Sequence, residues 1–358
     1  MARAGRSDAR DGRNGVTMSR VVVTGGAGFI GSHLVERLLT DGHQVTVLDN
    51  LSTGRLSNLA SVEDEPRLTV SQADVTDHQQ VRRLMAGADW VFHLAALADI
   101  VPSIERPWDY YRANVEGTVS VLEAARAAGV KRLVYAASSS CYGIPDVYPT
   151  PETAPIQPQY PYALSKRLGE ELLLHWGTVY HVPCVSLRLF NVYGPRARTS
   201  GAYGAVFGVF LAQKLAGQPF TVVGDGTQTR DFTFVTDVVE AFVKAAASER
   251  SGDVFNVGSG NSYSVTRLTT LLGGPVVHIP KRPGEPDCTF ADISQIQRLL
   301  EWRPRVGFEE GVRRMVEHLQ DWKDAPVWTP ASIAQATQPW FQYLASPTAS
   351  SPAEGINA

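Results

Sequence analysis

The chain has 358 residues, 44% hydrophobic and 19% charged, with a formal net charge of −3, a composition typical of a folded protein with a sizeable buried core. That balance gives no basis for a nucleic-acid partner, and no apolar run approaches the roughly 20 residues of a bilayer span. The first residues also lack the apolar stretch of a secretory signal, so no membrane partner is expected and the cytoplasm is the expected location.

Cys141, Cys184 and Cys288 are odd in number and far apart, which argues against a disulfide scaffold and against a zinc or other metal site. The eight histidines form no local motif with a Cys or Ser nucleophile. Residues 1–17, MARAGRSDARDGRNGVT, carry no apolar periodicity and are expected to be a disordered extension, with Met18 an alternative start.

From Val21 onward short apolar runs alternate with helix-length segments. Strands are expected at Val21–Thr24, Gln44–Leu48, Trp90–His93, Arg132–Ala136 and Pro183–Leu189. Helices are expected at Gly31–Thr40, Asn114–Ala128 and Tyr162–Trp176. This alternation predicts an α/β fold, a doubly wound parallel sheet of Rossmann type with helices on both faces. After Asn191 the text turns to Gly- and Pro-punctuated pieces with helices near 237–247 and 311–322, read as a smaller C-terminal substrate-binding lobe. The boundaries expected are 18–190 plus about 232–258 for the sheet domain and 191–231 plus 259–325 for the lobe. Residues 326–358 are left as a tail that carries Trp328 and Trp340 and has no readable role.

The first strand runs into Thr24-Gly-Gly-Ala-Gly-Phe-Ile-Gly31, with glycines at 25, 28 and 31 where strand becomes helix. Such spacing permits a tight turn, close approach of backbone to a pyrophosphate, and contact of that anion with a helix N-terminus. The second strand ends in Asp49, about twenty residues on, where a carboxylate accepts from the adenosine ribose and repels the 2′-phosphate of NADP. NAD is therefore the expected cofactor. Arg55 is the one nearby charge that works in the other direction.

Tyr162-Ala-Leu-Ser-Lys166 puts a phenol and an ammonium one helical turn apart. The pair alone is a pattern that chance produces; it gains weight behind a complete dinucleotide fingerprint and the strand-end Ser138-Ser139-Ser140. A free phenol titrates near 10, so the Lys166 charge and a positive nicotinamide are expected to favour the phenolate of Tyr162 as base. Ser138 is expected to donate to the substrate oxygen and to fix Tyr162.

In order along the chain stand TGGAGFIGSHL, DNLSTG, HLAAL, NVEGT, SSSCYG, YALSK, RLFNVYGPR, GDGTQTRDF and FNVGSG. With these motifs the stretch from about Val21 to Trp322 resembles the extended short-chain dehydrogenase/reductase superfamily, and within it the NAD-dependent nucleotide-sugar epimerases and dehydratases, most closely the UDP-glucose 4-epimerase-like enzymes. The resemblance implies a homodimer acting on a nucleotide sugar, with helices Asn114–Ala128 and Tyr162–Trp176 at the interface. It further implies that Phe29 and Ile30 join the glycines at the cofactor and that Asn50 stands beside Asp49. Asp74 and Val75 would flank the adenine, Leu94, Ala95 and Ala96 would line the cofactor backbone, and Asn114 would brace the central sheet. On the substrate side it implies Ser140, Asn191, Arg230 and Arg282 near the sugar and diphosphate, with Glu285 at the ribose.

Members of this group begin by oxidising sugar carbon 4 to a ketone. Dehydratases resemble one another in an Asp-Glu directly after the active Ser/Thr, and decarboxylases in a Glu at the second place after it. Here those places hold Ser139 and Ser140, which cannot serve as carboxyl acids or bases. The resemblance thus favours 4-epimerisation, with a 4,6-dehydratase, a UDP-glucuronate decarboxylase and a non-catalytic NAD sensor as alternatives. Departures from the family pattern are Cys141 for the usual Val, Ala98 where hexose epimerases often carry Lys, and Thr289 where a bulky Tyr excludes N-acetylated sugars. Arg196 and Arg198 keep a uronate open as substrate.

Overall fold

The computed structural model describes residues 18–197 and 205–345. The expected extension 1–17, Arg198 and residues 346–358 lie outside the described residues.

Seven strands form one fully parallel sheet: β1 (Arg20–Thr24), β2 (Gln44–Asp49), β3 (Leu68–Gln72), β4 (Trp90–His93), β5 (Arg132–Ser138), β6 (Cys184–Leu189) and β7 (Asp253–Val257), in the order β7-β6-β5-β4-β1-β2-β3. Helices cover both faces, which is why β1 and β5 read as nearly unbroken apolar runs; β6 is as fully buried but carries Ser186 and Arg188, which are paired there. One face is filled by Leu34, Val35 and Leu38 of helix Phe29–Thr40 with Val238 and Phe242 of helix Val235–Ala247. Val81 and Met85 fill the other, together with Val121 and Leu122 of helix Gly117–Ala128 and Leu173 of helix Pro161–Tyr180.

All five expected strands are present. The periodicity does not reveal the two edge strands: β3, with Val70 exposed, faces water and needs no continuous apolar run, and β7 carries Asp253 and Asn256 among its apolar residues. Order reverses where β1 lies between β2 and β4, so the helices that follow these strands leave in opposite directions and open a crevice at the carboxyl ends.

A third cluster lies over that end: Phe207, Phe210, Phe220, Phe232, Phe308 and Trp322 pack with Ile333. It is stitched by short pairings, Phe220–Val223 with Val276–Ile279 and Asn191–Tyr193 with Phe232–Phe234, both parallel. The expected tail is in part a folded element. Residues 330–336 and 338–344 are helical, and Ile333 and Trp340 are buried.

Helix Pro161–Tyr180 is fastened to β6 by a buried ion pair. Arg188 donates to both Glu170 oxygens, at 2.7 and 3.0 Å, while Ser186 and Arg167 donate to the same carboxylate. Burial alone would raise the Glu170 carboxyl, but hydrogen bonds and charge from Arg188 outweigh it and hold the group below its ordinary value. Arg188 also donates to the Tyr142 hydroxyl and the Glu152 carbonyl. Cys141, beside this network, is buried and its thiol is pushed up to about 12 by burial, so it acts as a small apolar side chain. Arg188→Met leaves a buried carboxylate short of its main partner and should cost about 3–5 kcal/mol, measured as a fall in the denaturant midpoint at an unchanged slope.

Candidate active site

A cavity of about 1220 Å³ opens at the carboxyl ends of β1, β2, β4, β5 and β6, beneath the phenylalanine-rich cluster. It gathers nearly every residue singled out from the sequence. Gly25, Gly28, Phe29, Ile30, Gly31, Asp49, Asn50, Asp74, Val75, Leu94, Ala95 and Ala96 line one end. Ser138, Ser140, Tyr162, Asn191, Arg230, Arg282 and Glu285 line the other. Asn114 and Lys166 are absent from the lining and stand behind the wall.

The glycine turn has physical reasons for its residues. Gly25 has φ +71°, and a Cβ there would sit 2.7 Å from the Ala95 nitrogen. At Gly31 a Cβ would run into the Gly25 carbonyl. Helix Phe29–Thr40 starts from Gly28 with no side-chain cap, so its first-turn amides remain for an anion. The Asp49 carboxylate accepts from the amides of Ala27 and Leu51, at 3.0 and 2.9 Å, locking the turn to the end of β2. Burial still leaves this carboxyl above its ordinary value. Asp74 goes the other way: burial would raise it, but bonds from Thr76 and Asn50 prevail.

Asn114 braces something other than the sheet. Its amide exchanges two hydrogen bonds with Leu97 and donates to the Ser165 hydroxyl at 2.9 Å. It thereby ties the loop after β4 to the helix of Tyr162, from a one-turn π segment, Arg112–Glu116, of the kind that clusters at functional sites. His93, at the end of β4, is buried between the hydroxyls of Thr24 and Thr118. Burial lowers it to about 3, so it is a neutral brace.

Ser138 lies within hydrogen-bond reach of the Tyr162 phenol and pairs with the Ser140 hydroxyl at 2.8 Å. The Lys166 ammonium sits over the Tyr135 ring, 4.2 Å from its centroid. Burial lowers Lys166 to about 7, against the pull of Glu170 one turn on. Burial likewise raises the Tyr162 phenol; the Ser138 hydrogen bond opposes this, and the Asp99 charge adds to it. The expected push of Lys166 toward phenolate is thus overtaken in this structure by desolvation of both groups.

On the far side Glu285 is shared: Arg230 reaches it at 2.8 Å and Arg282 at 3.1 Å. The Thr289 hydroxyl donates to Asn191 at 2.7 Å, so the small residue there also orients the amide. Tyr160, Asp99 and Trp340 belong to the wall and were not read from the sequence. For Trp340 the available signal was a tryptophan in an otherwise featureless tail. Among the described residues no cluster of His, Cys, Asp and Glu suits a metal ion, and no helix is long and apolar enough to cross a membrane.

The model of the NAD dependent epimerase/dehydratase family matches residues 21–258. The chain is 40% identical over 312 residues to a UDP-glucose 4-epimerase of Mycolicibacterium smegmatis, covering 84% of this chain and 99% of that protein. Residues 21–322, which carry the motifs, alone make up about that share of the 358. It is 33% identical over 312 residues to UDP-glucuronic acid decarboxylase 1 of Xenopus tropicalis, covering 84% of this chain and 72% of that protein. Among solved structures it resembles a UDP-N-acetylglucosamine 4-epimerase from Methanobrevibacter ruminantium in complex with UDP-N-acetylmuramic acid, with TM-score 0.81 and 34% identity over 85% of this chain and 99% of that one.

Two outcomes follow from this geometry. Gly25→Ala forces a positive φ and a clash on the turn, a strain of about 1–3 kcal/mol, and should weaken NAD binding roughly ten- to hundredfold by calorimetry. Lys166 titrates near 7 when folded and near its ordinary 10.5 when unfolded, so between these values the unfolded chain binds the extra proton and stability rises with pH. Denaturant melts of the nucleotide-stripped wild type should gain on Lys166→Met between about pH 7 and pH 10; parallel curves would contradict the buried lysine.

Proposed function

The chain belongs to the NAD-dependent epimerase/dehydratase family, and from the site it carries we propose that it inverts carbon 4 of a UDP-activated sugar through a transient 4-keto sugar, as an isomerase with tightly bound NAD. The carrying observation is the run Ser138-Ser139-Ser140, which lines the cavity beside Tyr162 without a carboxyl group. Dehydration and decarboxylation need an acid at those places; returning the reducing equivalents to the same carbon does not.

The glycine turn, the uncapped helix start and Asp49 suit a dinucleotide. Gly25, Gly28, Phe29, Ile30 and Gly31 would hold its diphosphate, Asp49 and Asn50 its adenosine ribose, Asp74 and Val75 its adenine. Leu94, Ala95 and Ala96 would run along it to Tyr162. When bound, NAD supplies the acceptor and donor of hydride at carbon 4. Tyr162 removes and returns the hydroxyl proton, Ser138 orients phenol and substrate oxygen, and Lys166 contributes positive charge behind Tyr162. Asn191, Arg230 and Arg282 receive the nucleotide diphosphate, and Glu285 its ribose. We assign the substrate lobe to 191–231 plus 259–325 and the NAD domain to 18–190 plus about 232–258. Exposed Leu164 and Val179 on helix Pro161–Tyr180 support the reading that this helix meets a second copy.

A second reading is decarboxylation of a uronate, supported by the decarboxylase relatives; Arg196, expected to favour a uronate, is instead ion-paired with Glu36 of helix Phe29–Thr40 at 2.6 Å. Incubation with UDP-glucose, UDP-N-acetylglucosamine, UDP-glucuronate and dTDP-glucose, followed by NMR, separates the readings. Inversion at carbon 4 is the expected product; released carbon dioxide or a 4-keto-6-deoxy sugar would transfer the chain to the other reactions. Tyr162→Phe should lower kcat by about 10²–10⁴ with the nucleotide sugar still bound. A variant that turned over like wild type would end the enzymatic role of the phenol.

A further inference from the structure

The C-terminal arm, residues 325–345, touches both halves of the molecule. Its Trp328 carbonyl accepts from Gln213 at 2.7 Å, and Ile333, on a helix opened by a Thr329–Ser332 capping box, enters the phenylalanine-rich cluster. The next helix, Gln338–Leu344, packs against Ile100–Glu105, which follows β4 on the dinucleotide side. Between these anchors Trp340, 3% exposed, forms part of the cavity wall.

Three contacts hold its indole. Its Nε1 donates to the Pro283 carbonyl at 2.6 Å, the Arg282 guanidinium lies 5.2 Å from the ring centroid, and the Tyr160 ring is 6.3 Å away. Tyr160 in turn stacks parallel to Tyr162. Arg282 sits in a Pro- and Gly-rich loop, KRPGEP, with no helix or strand to fix it. A guanidinium held on such a loop loses conformational freedom on binding an anion, and an indole face that already orders it removes much of that cost.

We propose that Trp340 is a positioning residue of the substrate site: through the ring face and the Pro283 bond, the arm pre-orders Arg282 for the diphosphate of a nucleoside-diphosphate sugar. This rests on the nucleotide-sugar reading. The arm follows the motif-bearing stretch 21–322, so this chain adds to its site an element that the motifs themselves do not contain.

The test is a double-mutant cycle in the full chain, with UDP and UDP-glucose as probes in calorimetry and steady-state kinetics. Trp340→Ala should weaken UDP binding about tenfold and act on KM more than on kcat, while Trp340→Phe, which keeps a ring face, should recover most of the loss. In the background of Arg282→Met, Trp340→Ala should add less than twofold, because its effect passes through that guanidinium. NAD binding and the melting temperature, measured on the same samples, identify a variant that has merely misfolded. Independent, additive losses in a folded double variant, or UDP affinity unaltered in Trp340→Ala, would overturn the proposal. Wild type that binds neither UDP nor UDP-glucose would instead refute the nucleotide-sugar reading itself.

Discussion

Everything at the reacting end hangs from the buried pair of Arg188 and Glu170. Glu170 is on the helix that carries Tyr162 and Lys166, one turn beyond the lysine, and Arg188 is near the carboxyl end of β6, the strand next to the edge strand β7. Their double contact sets the height and rotation of that helix against β6. Burial lowers the Lys166 ammonium, and the charge of Glu170 opposes that shift in part. Structural fastening and electrostatic tuning are two effects of one carboxylate.

The fold was legible where burial imposes a pattern. Strands covered on both sides are largely apolar, with the few polar residues among them paired, and amphipathic helices between them repeat every three to four residues, so five central strands and their helices stand out. The edge strand β3 does not, because half of its surroundings are water. In the lobe, two- to four-residue strands are too short to show a period, and only their assembly around Phe207, Phe232 and Phe308 reveals a core. Residues 326–345 were opaque for a related reason: their helices span seven residues each and are stable only on what they cover.

The site divides similarly. Glycines that a turn requires, and the carboxylate at the end of β2, are visible because geometry permits few substitutes. Pairings across the chain are not: Asn114, Asn191 and Thr289 stand out by resemblance, but only the fold shows that Asn114 joins Leu97 to Ser165, that His93 joins Thr24 to Thr118, and that Thr289 holds Asn191. Such pairings lie 17 to 98 positions apart. The sequence displays most of these partners as ordinary polar residues, and Leu97, which pairs through its backbone, as an ordinary apolar one. Chemistry read from residue types also failed to anticipate the electrostatic balance around Tyr162, since desolvation depends on everything that surrounds a group and not on its neighbours in the chain.

The carboxylate of Glu285 between two guanidiniums has a consequence for traffic through the cavity. Arg230 and Arg282 arrive already neutralised in part, so the clamp offers a net charge nearer one than two. On the proposed reading, an incoming diphosphate meets arginines already paired with a resident carboxylate rather than bare positive charge. Monovalent anions of the cell gain little from that exchange, whereas a diphosphate brings enough charge to compete and enough oxygens to satisfy both forks. On departure the carboxylate is at hand to take the arginines back. On that reading Glu285 is a tethered counterion, a built-in competitor that trades affinity for selectivity and for release.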